Sequence, residues 1–536
     1  MDKHYDVIVV GAGIAGIVAA LELAEGGQKV LVLDRDKKEK LGGLARESFG
    51  GMFFVDSPLQ KKAKIKDSPE LAYADWCEFA AFEADDHLPR QWAKTYTERS
   101  VPDIYEAILQ RGATFFPVIN WVERGQYKPG NSVPRFHLVW GTGQALATTY
   151  ISHFKRHLAS GNIDLRFGHA VRSLVSSGGK VSGVEGMQEE VGIPFSVSGP
   201  VVIIAAGGIN GSDEKIRAHW QKTWGEKPPQ EILNGSHEFA DGTLHDAADK
   251  VGGAVTHLDR MWNYAAGVHH PRPRKPRHGL SLVPSKSALW MNAEGRRFGP
   301  EPLVSGYDTW ELVRRICEQE HGYSWAIMNR KIAVKELAIS GAEFNPAIRD
   351  KKKITFLKTV LFGNKPLLQD MVENCLDFVT GTSVAELAAN MNALGNPAQV
   401  DAAGMDADIR AYDAQLDRPR HLRNDAQISR IQHLRQYRGD KVRICKEQKI
   451  LDPSAGPLIA VRQYIISRKS LGGIQTDLQS RVLDQKGEPI DGLYAIGEAA
   501  GFGGGGVHGL RALEGTFLGG CVLTARYAAK SILKGE

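Results

Sequence analysis

Gly11, Gly13 and Gly16, followed by an aspartate at position 34, are the first residues whose types and spacing could do chemistry. In G-x-G-x-x-G the first glycine permits a tight turn, the second lets backbone approach a pyrophosphate, and the third lets a helix pack closely on a strand. The helix N-terminus then offers free N–H groups to the phosphates, and an acid about 20 residues on accepts hydrogen bonds from a ribose. Asp34 stands there, with Ala15 inside the turn and Arg35 beside the acid. Such a set needs a strand before it, a helix after it and a second strand ending at the acid. Val7 to Val10, Ile17 to Ala24 and Val30 to Leu33 are expected to supply these. The competing reading is a βαβ unit whose glycines serve packing alone. Gly501, Gly503 and Gly506 repeat the spacing, but no βαβ unit with a terminal acid follows, so one nucleotide domain is expected.

More glycine chemistry follows Asp34. Residues 40–54 read KLGGLARESFGGMFF, in which Gly42-Gly43 and Gly50-Gly51 flank Leu44, Ala45 and Ser48. A loop of this kind can run its backbone along a flat cofactor, and simple NAD enzymes have no such segment. VVIIAAGG (201–208) is a strand ending in a small-residue turn at Ala205, Ala206 and Gly207. GLYAIGEAA (492–500) is another, carrying Gly497 and Glu498, and a glycine-rich stretch then leads to a helix expected over 519–532.

Composition sets the frame. At about 150 residues per domain, 536 residues predict two to four domains. A net charge of +5 suits an anionic cofactor and falls short of a nucleic-acid footprint. The 58 glycines exceed the usual share of about 7%. Five scattered cysteines form no C-x-x-C pair, so no metal site is expected and a reducing, cytoplasmic setting is. The apolar run Val7 to Leu23 follows Asp2 and Asp6 instead of a basic region, which argues against a signal peptide. No uninterrupted apolar run is long enough for an integral membrane segment.

Together these motifs resemble the flavoprotein superfamily of fumarate reductase, succinate dehydrogenase and 3-ketosteroid dehydrogenases. Further runs are similar to its FAD-binding dehydrogenase subgroup: DSPLQ (56–60), NSVPRFH (131–137), WGTG (140–143), LDPSAGPLIAVR (451–462), LGGIQTD (471–477) and GFGGGGVHGLRALEGTFLGG (501–520). The resemblance implies FAD. Asp34 would hold the adenosine ribose, and Ala170 and Val171, after His169, would meet the adenine from an edge strand. Glu498 would bind the ribityl chain, and the turn Gly515-Thr516-Phe517-Leu518 would face the pyrimidine end of the flavin at a helix N-terminus. Where some members carry a flavin-bonded histidine this chain has Leu44, which implies non-covalent FAD.

The chain departs from the fumarate reductase pattern at three places. Lys469 in RKSLGG stands where a substrate-binding histidine would be. In HGLRALEG, Ala512 takes the arginine position and Arg511 is one residue early. After RFGPE the proton-donor position holds Ser305. Fumarate is therefore not the expected substrate. Tyr307, Tyr464, Lys469, His508 and Arg511 remain as catalytic candidates for carbonyl-conjugated C=C chemistry, which needs an electrophile at the carbonyl and a base for the α-proton. Four of them have a structural alternative: Tyr464 as core, Lys469 and Arg511 paired with Glu514, His508 as a cap. His137, Trp140, Trp262 and Tyr264 are further candidates for pocket walls.

The expected fold is α/β: a discontinuous Rossmann-like FAD-binding domain, doubly wound on a mainly parallel sheet, from residues 1–262 and 441–536. Residues 263–440 would form an inserted α+β capping or substrate domain, with helices over 309–319, 325–340 and 384–394. The expected activity is an FAD-dependent oxidoreductase of the EC 1.3 type, a dehydrogenase or ene-reductase working on a CH–CH bond of a hydrophobic carbonyl compound; a ketosteroid-like ring is one candidate. A flavin oxidase or hydroxylase is the alternative. The expected partners are a small-molecule substrate and a separate electron donor or acceptor, with no nucleic acid.

Overall fold

The computed structural model describes residues 4–535. The apolar runs VIVV, VLVL and VVII become the strands Val7–Val10, Val30–Leu33 and Val201–Ile204, of which nearly every residue is buried. Runs that are apolar on both faces belong in the middle of a parallel sheet covered by helices. Ile163–Arg166, Val30–Leu33, Val7–Val10, Val201–Ile204 and Pro489–Ala495 lie side by side and parallel in a nine-stranded mixed sheet. Lys180–Gln188 extends it and pairs antiparallel with His169–Ser177 and Ile193–Ser198. Val202 stands opposite Leu493, so the two ends of the chain share one sheet. The helices Ile14–Glu25 and Thr516–Lys534 pack on each other beside it.

A second, eight-stranded sheet is built around Leu458–Ser470, thirteen residues long. It pairs with Tyr323–Asn329, Met261–His269, Phe378–Gly381 and, in parallel, Ile232–Asn234. This sheet therefore draws strands from outside 263–440, because its longest strand returns from beyond the middle of the chain. The expected helix over 325–340 is divided. Residues Tyr323–Asn329 are a strand and Arg330–Glu336 a helix, with the Asn329 side chain accepting from Ile332 N at the junction. YSWAIMN is buried throughout, and an apolar run without alternation does not separate strand from helix. The helices Thr309–Cys317 and Val384–Asn392 lie where the sequence places them. The C-terminal helix begins earlier than expected, at Thr516.

The second glycine loop is held by a smaller sheet, Gly51–Phe53 against Phe136–Val139 against Phe115–Asn120. Behind it the DSPLQ and NSVPRFH runs meet in a buried polar network. Ser57 caps its helix through Gln60 and bonds His137 at 2.7 Å. Arg135, fully buried, reaches Asp67 at 2.8 and 2.9 Å and Asp75 at 2.5 Å. Removing one member of such a network leaves buried charge without a partner, which costs about 3–5 kcal/mol. Arg135→Met is expected to bring the first calorimetric unfolding transition to lower temperature; an unmoved transition would refute this.

All five cysteines are free. No helix among the described residues is long and apolar enough to cross a membrane.

Candidate functional site: a cavity between the two sheets

One large cavity runs from the carboxyl ends of Val7–Val10 and Val30–Leu33 to the second sheet. All the proposed cofactor residues line it except Gly16, Gly42, Gly497, Gly515 and Thr516, which lie behind its wall. The glycine turn shows three distinct uses. At Gly11 φ is +108°, and a Cβ would fall 2.4 Å from Ala205 O, so turn and neighbouring strand are closed against each other. At Gly16 a Cβ would fall 1.9 Å from Gly11 O, which is helix-to-strand packing. At Gly13, however, nothing lies within 4 Å of a Cβ, and the backbone faces the cavity. Protein packing accounts for the first two glycines, and space for a ligand accounts for the third.

The far end of this wall suits a nucleoside. Asp34 accepts from Ala12 N at 2.5 Å and Asp36 N at 2.7 Å, which fixes its carboxylate at the strand end. His169 N bonds Asp34 O, bringing Ala170 and Val171 to the cavity. Arg35 is held by Glu189 and Asp241 and lies 4.5 Å over the Phe239 ring. His237, Phe239 and Asp241 also line this end and were missed from sequence; they follow no motif, and only folding brings them here. Arg468 lines the wall with its Nε buried and without a partner among the described residues, a donor available to an anionic ligand.

At the other end of the helix, Phe517 and Leu518 line the cavity from the first turn of Thr516–Lys534. Glu498 accepts from Ser470 N at 2.9 Å, and burial pushes its carboxyl up to about 7. Lys469 Nζ sits 4.0 Å from the Phe517 ring centre. Burial lowers its ammonium to about 8 against the opposing pull of Glu514. Tyr264 donates to Glu514 Oε2 at 2.8 Å, and Trp262 Nε1 donates to the same oxygen at 2.9 Å. Burial, reinforced by Glu514, raises the Tyr264 phenol well above its ordinary value. Tyr264, Lys469 and Glu514 all line the cavity.

The five catalytic candidates do not converge. Lys469 is on the cavity wall and the other four are not. Tyr464 packs edge-on to His269, with 5.3 Å between ring centres. It lies five residues before Lys469 on the same strand, beyond a register shift at Arg468, and does not reach the cavity. Tyr307 bonds His433 Nδ1 at 3.0 Å in a separate small cluster. Arg511 pairs with Asp308 at 3.1 Å and stacks on Trp310, so Glu514 is left to Tyr264 and Trp262. His508 bonds Thr516 Oγ1 at 2.7 Å behind Phe517, and burial depresses its imidazole to about 3. His137 and Trp140 belong to buried packing behind the loop, and Trp262 is fully buried. Tyr264 is the one of those wall candidates that reaches the cavity.

With this geometry in place, comparison with known proteins defines the class. Residues 6–518 match the family described as FAD binding domain. The chain is 42% identical to a KsdD-like steroid dehydrogenase of Mycobacterium tuberculosis, over 98% of this chain and 95% of that protein. It is likewise 42% identical to a KsdD-like steroid dehydrogenase of Mycolicibacterium smegmatis, covering 96% of each. The crystal structure of 3-ketosteroid Δ1-dehydrogenase from Sterolibacterium denitrificans superposes with a TM-score of 0.71, at 17% identity, over 99% of this chain and all of that one. That likeness concerns the fold. The chain belongs to the FAD-binding family, and FAD is its cofactor. The open face of Gly13, the fixed Asp34 carboxylate and the free Arg468 donor fit the dinucleotide.

Proposed function

We propose that this chain is an FAD-dependent dehydrogenase or ene-reductase acting on the CH–CH bond beside the carbonyl of a hydrophobic, ketosteroid-like compound. The observation that carries the reading is the Tyr264–Glu514 pair beside Lys469 on the wall next to the flavin turn. Whole-length similarity to KsdD-like steroid dehydrogenases supports it. The Gly11–Gly16 turn and the Gly42–Gly51 loop would hold FAD, with Asp34 at the ribose, Ala170 and Val171 at the adenine and Glu498 at the ribityl chain. The cofactor-binding part is a doubly wound, Rossmann-like unit from both chain ends, and the middle of the chain caps it.

Bound FAD supplies the hydride acceptor. Lys469 supplies positive charge to the substrate carbonyl, which favours enolisation. Tyr264 takes the α-proton as it passes its own to Glu514, so the proton leaves along an existing hydrogen bond. The apolar surroundings keep water from that bond. Tyr307, Tyr464, His508 and Arg511 support the wall from behind.

Holoenzyme mixed without oxygen with 4-ene-3-ketosteroids and their saturated analogues is expected to bleach, and to regain its colour slowly in air. Rapid peroxide formation would sink this reading in favour of an oxidase. The electron partner is a separate molecule, and the compartment is the cytoplasm. Because Leu44 cannot bond covalently to a flavin, acid precipitation is expected to release all colour into the supernatant. Colour that stays with the pellet would overturn non-covalent binding.

A further inference from the structure

The cap end of the cavity carries charge that the proposed chemistry does not use. Lys286, on the segment after strand Gly279–Val283, donates only to Pro284 O at 3.2 Å. Arg443, at the end of helix Arg438–Arg443, has no hydrogen-bonded or ion-paired partner among the described residues. Both line the cavity, and Arg443 is exposed within it. Burial lowers Lys286 to about 8, with Asp440 opposing the shift and Arg443 adding to it.

Nearby carboxylates are committed elsewhere. Asp440 is bound by Arg124. Glu336 accepts from Ser287 N and Oγ and from Cys445 N. Glu123 accepts from Thr309 N and Oγ1, and burial pushes it up to about 8, so it is mostly neutral at neutral pH. The Arg124–Asp440 pair is neutral as a unit, so Lys286 and Arg443 against Glu336 leave one net positive charge in this group. Trp121, Val122, Leu282, Val283 and Ile444 give this end an apolar surface, with uncharged polar groups at Asn120, Ser281, Ser305, Thr309 and Ser340. A half-buried ammonium with a single carbonyl partner, next to a guanidinium with no partner among the described residues, leaves donors that an anion entering the cavity would complete. The helix N-terminus after the glycine turn and the Arg468 donor already suit the FAD pyrophosphate, so a different anion is assigned to Lys286 and Arg443.

We propose that Lys286 and Arg443 form an anion subsite that holds a carboxylate carried by the apolar substrate. The substrate class is then an amphipathic acid: a ring or chain enone with its reactive carbonyl at the Tyr264–Lys469 wall and an acidic side chain at the cap. A singly charged carboxylate matches the net charge, and a guanidinium beside an ammonium suits its two oxygens. This rests on the dehydrogenase reading for the reactive half of the molecule.

The test uses oxidised holoenzyme and three probes: 3-oxochol-4-en-24-oic acid, its methyl ester and the neutral 4-androstene-3,17-dione. By titration calorimetry the acid is expected to bind at least about tenfold more tightly than the ester. In Lys286→Gln and Arg443→Gln, each confirmed to retain FAD by its visible spectrum, that preference is expected to collapse towards one. Equal affinity of acid and ester, failure of both to bind, or a preference that survives in both variants would overturn the subsite. Anaerobic bleaching by 4-androstene-3,17-dione separates the two ideas. Bleaching without any acid preference removes the subsite and leaves the dehydrogenase reading. A charge-dependent preference with no bleaching by any probe does the reverse.

Discussion

Replacing Gly13 with valine is expected to give a folded, colourless protein. Gly13 has an ordinary extended backbone, with φ of −68°, so a side chain there meets no backbone strain. No protein atom lies within 4 Å of the added Cβ, so the fold has no reason to move. The valine methyls would instead enter the cavity at the helix N-terminus, where backbone N–H groups would meet the proposed pyrophosphate. Losing two charge-assisted hydrogen bonds at about 1.5–3 kcal/mol each lowers FAD affinity by about 10²–10⁴-fold. Gly16→Ala is expected to behave differently, because its Cβ would lie 1.9 Å from Gly11 O and the helix could not seat. Far-ultraviolet circular dichroism and visible absorbance separate the two. A yellow Gly13→Val protein would show that FAD does not lie against this turn, and one as unfolded as Gly16→Ala would show that Gly13 serves packing.

The second large effect is at the Tyr264–Glu514 pair. Tyr264→Phe keeps the ring and its packing and removes only the hydroxyl; Glu514→Gln keeps the shape and removes the proton acceptor. Each is expected to slow anaerobic flavin reduction by a ketosteroid about 10²–10⁴-fold, the usual worth of a positioned acid or base. Because the two act as one relay, the double variant should be little slower than the worse single one. Lys469 adds a pH signature. Its ammonium titrates near 8, so reduction should weaken as pH rises through that value and the charge at the carbonyl is lost. Lys469→Met should be slow throughout and lack that descending limb. Unchanged reduction rates in Tyr264→Phe with FAD retained would remove this pair from the mechanism. A descending limb that persists in Lys469→Met would remove the lysine.

Much of the cofactor half was legible because its signals are local. The turn at Gly11–Gly16, the strand ends at Asp34 and Ala205 and the loop at Gly42–Gly51 are each defined within a few residues. Local backbone geometry decides what each can do. The middle of the chain was harder. YSWAIMN is apolar at every position, so its period does not distinguish strand from helix, and pairing with Leu458–Ser470 made it a strand.

The reactive wall shows the same division. Tyr464 and Lys469 are near neighbours in sequence, but only Lys469 reaches the cavity, while Tyr264 and Glu514 are 250 residues apart and share a hydrogen bond. Arg511 looked available to Glu514 from spacing and is instead held by Asp308. Sequence alone therefore determined the glycine turn at Gly11–Gly16 and the short buried strands beside it, because glycine freedom and apolar runs act over a single turn or strand. Which polar groups face the cavity was decided only by the tertiary structure. That choice depends on strand register and on competition among distant partners, and neither is encoded within any one segment.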